Sequence, residues 1–230
     1  MGVVAARIAA AEVPVDWHAR SEQELWAELV GCILSSQVRH EACSAAHERL
    51  TLNGLLDVKR AEFPTGLSEA LRCALDQAFA GTDNSFGFIG KYRFSNSKAE
   101  QIAKTASHLY QKGNQLTTIL RDSQTAADAR RTLISICSGV GPKQASLFLR
   151  NIGYSCDLAV LDTHVIRYMQ IVGLTRQDCR TTLNSIRLYE RGELRFQFHA
   201  AGTGFTTATL DSAVWIVMRA LTSGDQQCLS

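Results

Sequence analysis

The chain has 230 residues, 46% of them hydrophobic and 20% charged, with a net charge of +2. That composition supplies a real core and excludes a mainly disordered chain, and three prolines with sixteen aperiodic glycines exclude collagen-like and low-complexity sequence. No uncharged apolar run approaches the roughly 20 residues of a bilayer span, and the length predicts one domain or two tightly joined lobes.

Met1 to Ala11 is apolar with one charge, Arg7, too short and weakly organised to read as a signal peptide. Ser21-Glu22-Gln23-Glu24 is a capping box: the Ser side chain accepts from the backbone three residues on, and the Glu reaches back. Leu25, Trp26, Leu29, Val30, Ile33 and Leu34 follow at helical spacing. Phe86 to Phe94 is aromatic but broken by Gly87 and Gly90, which predicts a loop. Its aromatics, Phe86, Phe88, Tyr92 and Phe94, are expected to be core for the most part, the alternative being stacking on a base. Ser97-Lys98-Ala99-Glu100 predicts a second capping box before a helix that Gly113 and Asn114 end. Thr125 starts a helix over 126–137. Pro142 to Ile152 is a helix with Pro in its first turn and Gly153 at its end. Asp162 caps a helix over 163–172, closed by Gly173. Strand signals are nearly absent, so the chain is predicted to be all-α.

The last strong helix, about 207–221, carries Leu210, Ala213, Val214, Val217, Ala220 and Leu221 on one stripe at about 100° per residue. Asp211, Trp215, Met218 and Thr222 share a second face. That face is a pocket wall, an interface or a broadened core.

The seven cysteines, at 32, 43, 73, 137, 156, 179 and 228, are never closer than eleven residues. No Cys-x-x-Cys pair or metal-ligand cluster exists, and reduced thiols in a cytoplasmic protein are expected. Charge is uneven. Residues 1–30 carry a net −3, residues 86–112 a net +4 and residues 163–199 a net +3. The basic stretches form either one phosphate-facing surface or ordinary solvated helix faces.

The sharpest constellation spans residues 131–167. Two helical stretches flank Ser138-Gly139-Val140-Gly141. The glycines allow a tight turn, and its exposed N–H groups with the following helix N-terminus suit a phosphate. Lys143 sits in the first turn of that helix, where the positive end of the dipole favours a free amine and hence a nucleophile. Pairing with phosphate is the alternative. Asp162 lies nineteen residues on. A helix of about ten residues spans roughly 15 Å, and Gly153 to Asp162 extends up to roughly 33–36 Å, enough to return to its start. Capping and catalysis by Asp162 are compatible, since the cap fixes the carboxylate's direction.

This segment resembles the helix-hairpin-helix DNA glycosylase superfamily, which includes endonuclease III and the 8-oxoguanine glycosylases. Gly139-Val140-Gly141-Pro142-Lys143 is similar to its hairpin with the catalytic lysine, and the stretch from Leu161 to Arg167 to its aspartate motif. The stretches Tyr92–Glu100, Ala145–Gly153 and Leu210–Trp215 resemble the small archaeal-type 8-oxoguanine glycosylases, and Cys32–Gln37 resembles the helix end that fills the gap in the duplex. The resemblance implies two helical lobes, about 33–155 and 1–32 with 156–230, and an active site in the cleft between them. It implies a bifunctional DNA glycosylase and abasic-site lyase acting as a monomer on double-stranded DNA with a damaged or modified base flipped from the helix. Lys143 and Asp162 would be catalytic. Gln37, Ser138, Gly139, Val140, Gly141, His164 and Arg167 would contact DNA, His164 orienting or packing rather than acting as a base. Trp215, Asp211, Met218 and Phe94 would form the base pocket. No catalytic metal is implied. A structural monovalent cation at the hairpin carbonyls is allowed. Only Cys228 stands where the cluster-bearing branch has four cysteines, so no iron–sulfur cluster is expected. Archaeal-type enzymes end in a basic residue that helps read 8-oxoguanine, whereas this chain has no Lys or Arg after Arg219. The alternatives are a hypermodified phage base, making this a defence enzyme, and a non-catalytic DNA-binding module.

Overall fold

In chain order the helices are α1 (Gly2–Ala11), α2 (Glu22–Leu34), α3 (His40–Leu52), α4 (Val58–Glu62), α5 (Leu67–Asp76), α6 (Ser95–Ala106), α7 (Leu116–Asp122), α8 (Ala126–Ile136), α9 (Pro142–Asn151), α10 (Thr163–Ile171), α11 (Cys179–Leu183), α12 (Ile186–Thr203) and α13 (Thr207–Gln227). The computed structural model describes residues 1–11, 15–176 and 178–227, the side chains of 179, 180 and 222–227 excepted. The fold is all-α apart from a small antiparallel pair, in which β1 (Phe79–Ala80) meets β2 (Ile89–Gly90) with Phe79 opposite Gly90. The predicted loop over 86–94 therefore holds a strand. Gly90 at φ 120 sits in this pair, and the pairing is non-local, so periodicity does not show it. Among the described residues no helix is long and apolar enough to cross a membrane.

The chain divides into two compact units, residues 17–140 and residues 1–16 with 141–230. The expected seams near 32 and 155 are displaced at both ends. The buried face of α2 (Leu25, Trp26, Leu29, Val30, Ile33) packs with α3, α6 and α7, which keeps α2 in the first unit. Arg150 in the last turn of α9 pairs with Asp211 on α13, which keeps α9 in the second.

In the unit of residues 17–140, the Ser21 capping box forms as expected, with Ser21 N donating to Glu24 Oε2 at 2.8 Å. Its neighbour Glu22 accepts from Leu116 N at 2.8 Å and Thr117 N at 2.9 Å, capping α7 from a distance. Trp26 is fully buried and meets Tyr110 edge-on. The Ser97 capping box does not form. The helix starts three residues earlier, at Ser95 behind Phe94, which places Ser97 inside the first turn, where its hydroxyl donates to Phe94 O.

In the other unit, α1 and α10 both pack on α13, and α11 and α13 on α12. The core joins Val165, Ile166 and Met169 of α10, Tyr189, Phe196 and Ala200 of α12, and Leu210, Val214 and Met218 of α13. The apolar stripe of α13 is thus rotated from the expected one. Met218 is buried, while Ala220 and Leu221 are exposed.

Candidate active site

The turn between α8 and α9 is built from two elements of the first unit. Gly139 has φ 78, the left-handed region where a side chain is strained. A Cβ there would fall 2.3 Å from Gln101 Oε1 on α6, so the turn rests directly on that amide. Gln101 is itself held by Lys98, a buried lysine whose Nζ donates to Gln101 Oε1 at 3.1 Å and whose amine burial pushes down to about 8. Thr105 donates to Ser138 O at 3.3 Å. The Val140 N–H is turned inward to Cys137 O at 3.4 Å, and Val140 is buried. The N–H groups of Gly139 and Gly141 make no hydrogen bond among the described residues. The expected anion cradle is therefore reduced by one amide. Gly141 is the N-cap of α9 without a side-chain cap, so the first-turn amides after Pro142 remain available to an anion.

Lys143 stands half-buried in that first turn. It makes no hydrogen bond or ion pair among the described residues. Asp162 is the N-cap of α10. Its Oδ1 accepts from His164 N at 2.8 Å and Val165 N at 2.9 Å. Both capping bonds use one oxygen, and Oδ2 is left to act on a neighbour. The same carboxylate thus fixes the helix start and presents a free edge.

What aims Asp162 is a buried segment of irregular chain, Leu158 to Leu161. Buried backbone amides must be paired. Among the described residues no strand lies alongside, and side chains from α12 and α13 serve instead. Ala159 N donates to Glu193 Oε1 at 3.1 Å, Val160 N to Asp211 Oδ2 at 2.8 Å, and Leu161 N to the Tyr189 hydroxyl at 3.0 Å. The Tyr189 hydroxyl donates in turn to Ala159 O at 2.9 Å. Gln197 donates to Asp157 O at 2.7 Å. Asp211 also accepts from Arg150 Nη1. Burial pushes the Asp211 carboxyl up to about 6, against the pull of Arg150 and the Val160 amide, and the nearby Asp162 charge adds to the rise.

Of the residues expected at the base pocket, Asp211 and Met218 are both buried, one in the ion pair with Arg150 and the other in the core. Trp215 is half-buried, with the Arg219 guanidinium 5.0 Å from its ring centre. Phe94, in the other unit, is half-buried under Arg93 at 5.0 Å. His164 is half-buried and Arg167 exposed. Gln37 is exposed and has φ 63, and among the described residues no other non-glycine has positive φ. A bulky residue there stores roughly 1–3 kcal/mol, the kind of strain found where a side chain is presented to a partner.

Arg150, Tyr189, Glu193 and Gln197 were absent from the sequence-derived site. Glu193 had a visible signal, a lone carboxylate on the buried stripe Tyr189, Phe196, Ala200. Among the described residues no group of three or more His, Cys, Asp or Glu is placed to hold a metal ion. Cys228 and the side chains from 222 onward, on which the iron–sulfur and C-terminal expectations rest, lie outside the described residues.

Residues 87–204 match the family profile of 8-oxoguanine DNA glycosylase. A protein of Saccharolobus islandicus named 8-oxoguanine DNA glycosylase/AP lyase is 33% identical over 150 residues, 64% of this chain and 70% of that one. A protein of the same name from Sulfurisphaera tokodaii is 33% identical over 156 residues, 67% of this chain and 64% of that one. The crystal structure of the Methanocaldococcus jannaschii 8-oxoguanine DNA glycosylase shares the fold, with a TM-score of 0.67 at 24% identity over 87% of this chain and 80% of that one. The same enzyme has been solved with a 15-mer DNA containing 8-oxoguanine, at a TM-score of 0.68 and 23% identity over 87% of this chain and 83% of that one.

Proposed function

Because this chain belongs to the 8-oxoguanine DNA glycosylase family, whose curated members are DNA glycosylase/AP lyases, we propose that it excises a flipped, damaged base from double-stranded DNA through a covalent imine on Lys143. The observation that supports the reading is that one compact unit holds both Lys143, in the first turn of the hairpin helix and without a hydrogen bond or ion pair among the described residues, and an Asp162 carboxylate whose direction is fixed by its own cap.

The base within a duplex is inaccessible, so the nucleotide is extruded first. The Gly139 and Gly141 amides and the first turn of α9 hold the backbone phosphate, with His164 and Arg167 at the start of α10 beside it. Gln37, held outward by its left-handed backbone, fills the gap left in the stack. Trp215 stacks on the extruded base. Asp162 orients Lys143, takes its proton and stabilises the positive charge that develops on the sugar. The Lys143 nitrogen bonds to C1′, and the glycosidic bond breaks with its electron pair leaving on the base, which takes the proton that Asp162 received from Lys143 and so restores the carboxylate. The sugar ring opens at O4′ to an imine. Loss of a C2′ proton then expels the 3′ phosphate and nicks the strand. At the hairpin, the Cys137 and Ser138 carbonyls each accept one hydrogen bond and each keep a second lone pair, enough to contribute to a monovalent cation site.

The first substrate is 8-oxoguanine, by likeness to the relatives. A panel of duplexes with 8-oxoguanine, other oxidised or alkylated bases and hypermodified pyrimidines tests it by base release. Preferred release of 8-oxoguanine supports the reading. Release only of a hypermodified base moves the same chemistry to the defence alternative, and binding without release from any duplex leaves a non-catalytic module.

A further inference from the structure

We infer that Asp211 is a positioning residue for the glycosylase reaction: paired with Arg150 on α9 and bonded to the Val160 amide, it fixes the catalytic Asp162 relative to the helix that carries Lys143. The inference rests on the function proposed above.

Lys143 and Arg150 are seven residues apart on α9, two helical turns, so they share one side of a rigid rod. Val160 and Asp162 are two residues apart on one buried segment. Asp211 is the side chain that touches both, accepting from Arg150 Nη1 and from Val160 N with the same oxygen, Oδ2. It is buried, as is the segment it holds. Among the described residues no strand neighbours the segment, and the side chains of Asp211, Tyr189 and Glu193 oppose its shift. Asp211 also reaches α9, through Arg150. A carboxylate buried on an otherwise apolar helix face costs stability, and the cost is accepted where the geometry it fixes is needed. Asp211 is buried and its Oδ2 is engaged by Arg150 and the Val160 amide, the two contacts that a positioning role needs. Facing it are the charges of Arg150 and Asp162, and from α12 the Tyr189 hydroxyl and the Glu193 carboxylate serve the same segment.

The test is a double-mutant cycle in single-turnover nicking of abasic duplex DNA, with affinity measured separately. Asp211→Asn is expected to lower the rate at least tenfold with affinity within about threefold, because positioning acts on the transition state. In an Asp162→Asn background the same change is expected to cost nothing further, since the residue it positions no longer acts. A merely structural role would lower the rate again in that background. Arg150→Lys keeps the positive charge and gives up the fork geometry. It covers the case in which Asp211→Asn does not fold, with a smaller loss that likewise vanishes beside Asp162→Asn. Additive losses, or an unchanged rate in both variants, overturn the positioning role while wild-type nicking sustains the glycosylase reading. Wild-type protein that neither nicks nor traps on abasic DNA overturns that reading and the positioning role with it.

Discussion

Arg150 pairs with Asp211 from the last turn of the helix whose first turn carries Lys143, and the Asp211 oxygen that receives it also receives the backbone of Val160, two residues ahead of Asp162. The pair is buried at its acidic end, and this gives it a pH signature. The folded-state value of about 6 lies above the ordinary 3.8. Between those values the folded protein holds a proton that the unfolded chain releases. The contribution to stability is therefore present as pH falls below 6 and is lost as pH rises through it. Asp211→Asn removes this titration. The difference in Tm between wild type and the variant is expected to widen from pH 7 to pH 5, by on the order of 1 kcal/mol or roughly 2–4 °C. A constant or narrowing difference in thermal melts contradicts the raised value.

Gly153 closes α9 at φ 80, and a Cβ there would lie 1.9 Å from the Val15 carbonyl oxygen. Both the left-handed backbone and the contact forbid a side chain. Gly153→Ala is expected to cost more than the roughly 1 kcal/mol of the conformational term alone. A drop in Tm of under about 2 °C would mean that Val15 moves aside freely.

Local devices in this fold are legible in the chain, and non-local ones are not. Ser21, Thr125, Asp162, Pro142 and Gly153 mark helix ends by hydrogen bonds or backbone angles within a few residues, and the structure places all five there. α3 escaped periodicity because its buried positions are mostly alanine, Ala42, Ala45 and Ala46, which carry little apolar contrast. The β1–β2 pair depends on partners nine and eleven residues apart. At the site, the hairpin, Lys143 and Asp162 are visible as a spacing. The apparatus that aims them is not, because Tyr189, Glu193 and Asp211 reach the 158–161 segment from 28 to 51 residues away. Helical spacing likewise groups Asp211 with Met218 and Trp215 but does not reveal the Arg150 with which Asp211 pairs.

Asp162→Asn keeps a side-chain oxygen for the α10 cap and removes the charge. The cap bonds at His164 N and Val165 N are then largely retained, so the fold and DNA affinity are expected to change little. Loss of one electrostatic stabiliser lowers kcat by roughly 10²–10³. Turnover equal to wild type would reduce Asp162 to a helix cap.

Trp215 is half-buried, unlike its core neighbours Val214 and Met218. Stacking of a base on an aromatic is worth about 1–3 kcal/mol. Trp215→Ala is expected to weaken release of the damaged base roughly tenfold to a hundredfold and to leave abasic-site nicking intact, since an abasic site has nothing to stack. Equal loss of both activities would make Trp215 a structural residue.

The central claim is that the Lys143 amine forms the covalent bond to the sugar. Borohydride reduction during reaction with abasic-site duplex DNA reads this directly as a protein–DNA adduct on a denaturing gel. Wild-type protein is expected to trap. Lys143→Gln is expected to yield no adduct and no nick while binding the same duplex with affinity near that of wild type, since the hairpin and Gln37 remain. An adduct that persists in Lys143→Gln would contradict the account and assign the chemistry to a different amine.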